Sequence, residues 1–171
     1  ADANEFRSII GALHFCAFSC RPEICAPIVQ LSRQMLDPTI AHLKEARKIL
    51  KYLHKTRKLG LRFRRDFTTH VAPDIIITPD LLVGFTDATW ADDPVTRRSQ
   101  TGYAYLLNGA AISWRSKQQH EVANSSSEAE FRACNLCGRE GLFLRKLLAE
   151  FSDHTPDCGS NVMPPMTIYS D

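Results

Sequence analysis

At 171 residues the chain has room for one or two domains with real cores, and 44% hydrophobic with 23% charged residues is ordinary for a soluble globular protein. A net charge of only +2 does not announce a nucleic-acid binder, so that reading has to rest on local clustering. No apolar run approaches the roughly 20 residues that span a bilayer, and the acidic start Ala1-Asp2-Ala3-Asn4-Glu5 lacks the basic region of a signal peptide. Without such a signal, the six cysteines read as reduced thiols rather than a disulfide framework.

Residues 1–65 predict a helical segment. Asn4 or Asp2 can cap a first helix in which Phe6, Ile9, Ile10 and Leu13 recur at helical spacing. Cys20-Arg21-Pro22 breaks it, and Pro22 suits the first turn of a second helix carrying Ile24, Ile28, Leu31 and Met35. Pro27 is expected to kink that helix or delay its start. Asp37-Pro38 predicts the cap and first turn of a third helix, running to about His54 with Ile40, Leu43, Ala46, Ile49, Leu50 and Leu53 on one stripe. Its other face and sequel are basic: Lys44, Arg47, Lys48, Lys51, Lys55, Arg57, Lys58, Arg62, Arg64 and Arg65 come with almost no acidic relief. Such a run is either a solvated helix face or a surface that tracks phosphates.

Residues 66–80, where Pro73 and Pro79 flank Ile75-Ile76-Ile77, predict a linker with room for one short strand. From Leu81 the pattern turns to sheet. Leu81 to Thr86 is a near-continuous apolar run, as in a strand buried on both faces. Asn108-Gly109 between Tyr103–Leu107 and Ala110–Trp114 is a strong hairpin signal. A polar stretch from Arg115 to Asn124 follows. Ser127-x-x-Glu130 fits a capping box opening a helix over 127–151, and Met166–Ser170 predicts a last strand. The order of residues 81–171 is therefore strand, hairpin, helix, strand, with the last strand expected parallel beside the first.

In that arrangement Asp87 and Asp171 each follow a strand and emerge at one carboxyl edge, and Glu130 in the first turn of the helix can point to the same edge. Clustered carboxylates repel unless a cation lies between them, so their convergence implies a divalent metal site suited to phosphodiester cleavage. Each acid also has a structural reading: Asp87 as a turn cap, Glu130 as part of the capping box. Ser125 with Glu128 forms a second, overlapping box, so one of the two glutamates is expected to be structural. Cys134-x-x-Cys137 with His154 and Cys158 can be read as a zinc set, but the helical pattern around the pair favours packing.

Together Phe85-Thr86-Asp87-Ala88-Thr89-Trp90-Ala91, Arg97–Tyr103, Ser113–Gln119, Ser125-Ser126-Ser127-Glu128-Ala129-Glu130-Phe131 and Ile168-Tyr169-Ser170-Asp171 resemble the ribonuclease H domain of copia-type LTR retrotransposon Pol polyproteins. Upstream, Phe6–Leu13, Arg21–Ile24 and Leu31-Ser32-Arg33 resemble the thumb and connection region ending the reverse transcriptase of the same polyprotein. The resemblance implies an α/β fold with an RNase H-like mixed sheet, preceded by a three-helix segment and lacking its C-terminal part. Its activity would be Mg²⁺-dependent hydrolysis (Mn²⁺ as substitute) of the RNA strand of RNA–DNA hybrids during reverse transcription. Asp87, Glu130 and Asp171 match catalytic, metal-holding positions. Ser99, Thr101, Gly102, Ser126 and Ser127 match positions near the hybrid, and Lys48, Lys51 and Lys55 offer phosphate contacts.

The implied partners are the hybrid and the rest of the polyprotein, namely the polymerase palm and the C-terminal RNase H elements. The implied location is a virus-like particle in the cytoplasm, or the nucleus. Thr89 stands where the family has an acid, Asp92 where it has a glycine, and Pro27 is atypical. The family's fourth acid is absent from the sequence, from which impaired catalysis is expected. The alternatives are a domesticated, non-catalytic nucleic-acid-binding or scaffold remnant, and a fold-related nuclease acting on DNA.

Overall fold

The computed structural model describes residues 3–65, 68–72, 75–77, 80–153 and 166–170. Helix α1, Ala3–Ser19, buries Phe6, Ile10, Leu13 and Ala17, the stripe expected from spacing. Pro22–Ile24 then forms a single 3₁₀ turn, and α2 runs Cys25–Ser32. Pro27 is the third residue of α2, where a backbone N–H has no acceptor within the helix, so it removes no hydrogen bond. The start of the helix is delayed, as one of the two expectations had it.

Helix α3, Ile40–Lys55, is capped two residues later than the Asp37-Pro38 signal suggested. The Thr39 hydroxyl accepts from the His42 backbone N–H at 3.3 Å, and His42 Nδ1 accepts from Thr39 N–H at 3.2 Å. This reciprocal pair satisfies two donors at once, and Pro38 is left outside the helix. Phe6, Ile10, Leu43 and Ala46 form the core here, with Ile9, Leu31 and Met35 packed against it. Ile40, at 64% exposure, lies outside the stripe assigned to it. Arg21 is buried, and its guanidinium donates to Glu23 Oε1 and Thr56 Oγ1, both at 2.6 Å.

The chain divides into two compact units, Ala1–Leu61 with Arg115–Lys117, and Arg62–Trp114 with Gln118–Asp171. In the second, the segment read as a linker holds two short strands rather than one. β1 (Thr69–Ala72) and β2 (Ile75–Ile77) pair antiparallel, because the isoleucine run finds its partner just upstream.

The main sheet is four-stranded and mixed, in the order β5-β4-β3-β6, which gives the unit an α/β architecture. Its strands are β3 (Val83–Thr89), β4 (Gln100–Leu107), β5 (Ala110–Gln118) and β6 (Thr167–Tyr169). β3 pairs antiparallel with β4 and parallel with β6, in the register Val83↔Thr167 and Phe85↔Tyr169. Asn108 and Gly109, with φ of 51° and 83°, make the tight turn their identities predict. β5 continues to Gln118, well into the stretch read as a polar connection, because its half-exposed positions accept polar side chains.

Helix α4, Ser126–Asp153, packs on β3 and β4. Between them lies a core of Leu82, Tyr103, Tyr105, Cys137 and Leu144. The Tyr105 hydroxyl donates to the Cys137 carbonyl at 2.8 Å and accepts from the Cys137 thiol at 3.2 Å. Gly141 on α4 permits a close approach: a Cβ there would collide with the Tyr105 hydroxyl and the Met166 sulfur.

Candidate active site

Asp87 lies inside β3, two residues before its end, rather than beyond the strand as the apolar run suggested. Successive strand residues alternate between faces. Gly84 presses on Tyr105, the side that meets α4. Phe85 and Asp87 share the alternating set, and Phe85 stacks on Tyr169 with ring centroids 5.5 Å apart. There a cleft of about 480 Å³ is lined by Phe85, Thr86, Asp87, Gly102, Tyr103, Ala104, Tyr169 and Ser170. Asp171, the third acid expected at the site, lies outside the described residues. Among the described residues no group of three or more His, Cys, Asp or Glu gathers closely enough to hold a metal ion.

The two candidate glutamates of α4 divide their roles clearly. Ser125 Oγ accepts from the Glu128 backbone N–H at 3.1 Å, and Glu128 Oε2 accepts from Asn124 N–H at 2.7 Å and from its side-chain amide at 2.9 Å. Arg132 adds an ion pair to Glu128 at 2.7 Å. The Asn124 backbone N–H, followed by the Asn124 amide and Arg132, holds the Glu128 carboxyl below the usual carboxylate range. Glu128 is therefore the structural glutamate, and the cap starts at Ser125 rather than Ser127. Glu130, half-buried one turn into α4, makes no side-chain hydrogen bond or ion pair among the described residues. The same is true of the exposed Asp87 carboxylate. Glu130 is not among the residues lining the cleft.

A buried polar network ties the sheet that carries Asp87 to the helix that carries Glu130. The Gln119 side-chain amide donates to Thr101 Oγ1 and to the Ala129 carbonyl, both at 2.9 Å, and Gln119 N–H donates to Ser99 O at 2.8 Å. Ser99 Oγ accepts from Ala91 N–H at 3.1 Å, and Trp90 Nε1 donates to Ala123 O at 2.9 Å. Ser99 and Thr101 are 0% and 3% exposed. Their hydroxyls are thus occupied inside the protein, whereas Gly102, paired with Asp87 across the strands, opens on the cleft. The turn after β3 is held by Asp93, which accepts from Val95 and Thr96 N–H and from the Gln118 side chain. With the Thr96 N–H as the largest cause, these contacts bring the Asp93 carboxyl down to about 2.

Ser126 and Ser127 are exposed at the start of α4. Lys48, Lys51 and Lys55 are exposed on α3 in the other unit. The basic face is less free of acids than its sequence suggested, because Lys48 pairs with Glu45 at 2.6 Å and Arg47 with Glu5 at 2.5 Å. Cys137 is buried and Cys134 half-buried in α4. Burial chiefly pushes the Cys137 thiol up in pKa, against any role as a thiolate ligand. His154 and Cys158 lie outside the described residues.

The Pol polyprotein of transposon RE1 from Arabidopsis thaliana, named retrovirus-related, is 34% identical to the chain over 170 residues. That covers 99% of this chain and 10% of the polyprotein. The corresponding polyprotein of transposon TNT 1-94 from Nicotiana tabacum is 34% identical over 149 residues, 87% of this chain and 10% of its own length. The chain belongs to the copia-type Pol family.

It spans about a tenth of those plant polyproteins. It also matches secreted RxLR effector protein 161 of Plasmopara viticola, at 37% identity over 139 residues, covering 81% of this chain and 90% of that protein. No protein-family model matches the chain, and no solved structure does. Within this Pol-family chain, no local pattern in the Ser113–Gln119 segment marks Gln119. Its partners come from two other elements. Phe85 and Tyr169 stand two residues before Asp87 and Asp171, a strand-period spacing that carries their signal.

Proposed function

We propose that the α/β unit is the ribonuclease H part of a retroelement Pol polyprotein, hydrolysing the RNA strand of RNA–DNA hybrids. The observation that carries this reading is the division of labour in α4: Glu128 is consumed by the helix cap and Arg132, whereas Glu130, like Asp87 on β3, has no side-chain partner among the described residues. A carboxylate without a cationic or N–H partner, half-buried on a helix that packs against the strand bearing another, fits a hard divalent cation such as Mg²⁺ or Mn²⁺. Asp87 and Glu130 would hold it. The numbering offset between partners along β3 and β6 is also the offset between Asp87 and Asp171, which supports Asp171 as the third carboxylate.

When bound, such ions supply activation of the attacking water and charge stabilisation of the leaving oxygen. The chain's own residues would orient the substrate. The open backbone at Gly102 and the Phe85–Tyr169 ring pair border the strand position of Asp87, while the hydroxyls of Ser126 and Ser127 suit 2′-hydroxyl contacts. Exposed Lys51 and Lys55, with Lys48, would add phosphate attraction and hence salt-dependent affinity.

The test is cleavage of a labelled hybrid with Mg²⁺, by this chain and by a longer Pol segment containing it, each beside Asp87→Asn and Glu130→Gln. Loss of about a thousandfold in rate is expected from either substitution, the several kcal/mol that metal-held chemistry supplies. Equal rates with and without Asp87→Asn in the longer segment would end the nuclease reading. A second reading, a non-catalytic nucleic-acid-binding module, is favoured by the relative that has nearly the extent of this chain and bears an effector's name. It predicts hybrid binding without cleavage in every preparation.

A further inference from the structure

Gln119 follows β5 and is only 9% exposed. Its amide nitrogen is shared between Thr101 Oγ1 on β4 and the Ala129 carbonyl on α4. Thr101 pairs across the sheet with Ala88, the neighbour of Asp87, and Ala129 is the neighbour of Glu130. One side chain therefore ties the strand environment of one acid to the helix turn of the other. Its Oε1 is buried and has no hydrogen-bond partner among the described residues. An unmet buried acceptor is destabilising, and an apolar side chain of similar size would avoid that penalty. Stability alone does not account for a glutamine here, but the spacing of two elements does, because its amide NH₂ offers one hydrogen to the hydroxyl and one to the carbonyl.

We propose that Gln119 is a positioning residue, which sets Glu130 relative to Asp87 so that the pair can take a divalent cation. This rests on the nuclease reading above. Gln118, next in sequence, is turned to Asp93 instead and provides a neighbouring control.

The experiment titrates MgCl₂ into the chain and into Gln119→Leu, Thr101→Val and Gln118→Leu, following the backbone amide NMR signals of Asp87 and Glu130. Thermal unfolding is recorded for each protein. In the unsubstituted chain both signals should move along one isotherm. Gln119→Leu should raise the Mg²⁺ dissociation constant about tenfold, the low end for loss of a residue that orients metal ligands. Thr101→Val keeps the Ala129 bond and should raise it about threefold, half of that effect on a logarithmic scale. Gln118→Leu should leave it unchanged.

Weakening that is equal in Gln118→Leu and Gln119→Leu, and that follows the loss of thermal stability, overturns the role of Gln119 and leaves the nuclease reading standing. Failure of both signals to respond in the unsubstituted chain overturns the nuclease reading, and the positioning role with it. If Gln119→Leu does not fold, Thr101→Val decides: unchanged Mg²⁺ affinity at an unchanged melting temperature overturns the proposal.

Discussion

Each of the two units is stabilised internally by a different kind of interaction. The helical unit buries apolar side chains at helical spacing and keeps most of its charges outside, in pairs such as Lys48–Glu45 and Arg47–Glu5. Arg21, buried in this unit, donates to Glu23 and Thr56. The α/β unit instead buries Thr86, Ser99, Gln100, Thr101 and Gln119 beside its apolar core. Buried polar groups add little net stability and are costly when unmatched, but when matched they specify geometry. The difference teaches where exact placement matters. In this chain the buried polar groups gather on the elements that carry Asp87 and Glu130, and not along α3.

The comparison can be broken most forcefully at Tyr105. Tyr105→Ala should cost the α/β unit about 3–5 kcal/mol, as loss of a large buried aromatic does, and leave the helical unit's unfolding unchanged. Urea unfolding followed separately in each unit by NMR would show it, and a joint loss would mean that the units are not energetically separate. Ser99→Ala should cost about 1–3 kcal/mol, because it strips the Ala91 N–H of its acceptor. A change below half a kcal/mol would remove the claim that the polar network is what orders this unit.

Acid should act on the turn after β3. Asp93 has a lowered carboxyl pKa in the folded protein, so its contribution is present above about pH 4, the unfolded value. It is lost as pH falls toward about 2. Amide exchange at Val95 and Thr96 should accelerate across that window. Smallest of all, Lys48→Ala should change the helical unit's stability by less than about 0.5 kcal/mol, as for other exposed pairs.

Elements whose signals are local were legible in the sequence. Asn108-Gly109 dictates its own turn, and the stripe Phe6, Ile10, Leu13 needs only helical spacing. The parallel pairing of β3 and β6 followed from the strand–helix–strand order. What escaped depends on partners distant in sequence or on choices between near-equal local options. Ser125 with Glu128 and Ser127 with Glu130 match the same capping pattern, and Asn124 and Arg132 decide between them by binding the first glutamate. Asp37 and Thr39 are both good caps, but only Thr39 meets a histidine able to answer it. β5 hid its last residues because a half-exposed strand tolerates Arg115, Lys117 and Gln118. The roles of Ser99, Thr101 and Gln119 could not be read at all, since burial is set by the fold and not by their identities.

Tyr105 has a practical consequence as well. Burial, then its contact with Cys137, raises the phenol's pKa far above the ordinary value. The folded state therefore keeps that proton, and the stability this gives is intact below about pH 10 and lost as alkalinity increases. After a rapid alkaline jump, the absorbance of this phenolate should lag behind that of solvent-facing tyrosines. Its delay is a clock for the parting of helix from sheet, built into the chain without any added label.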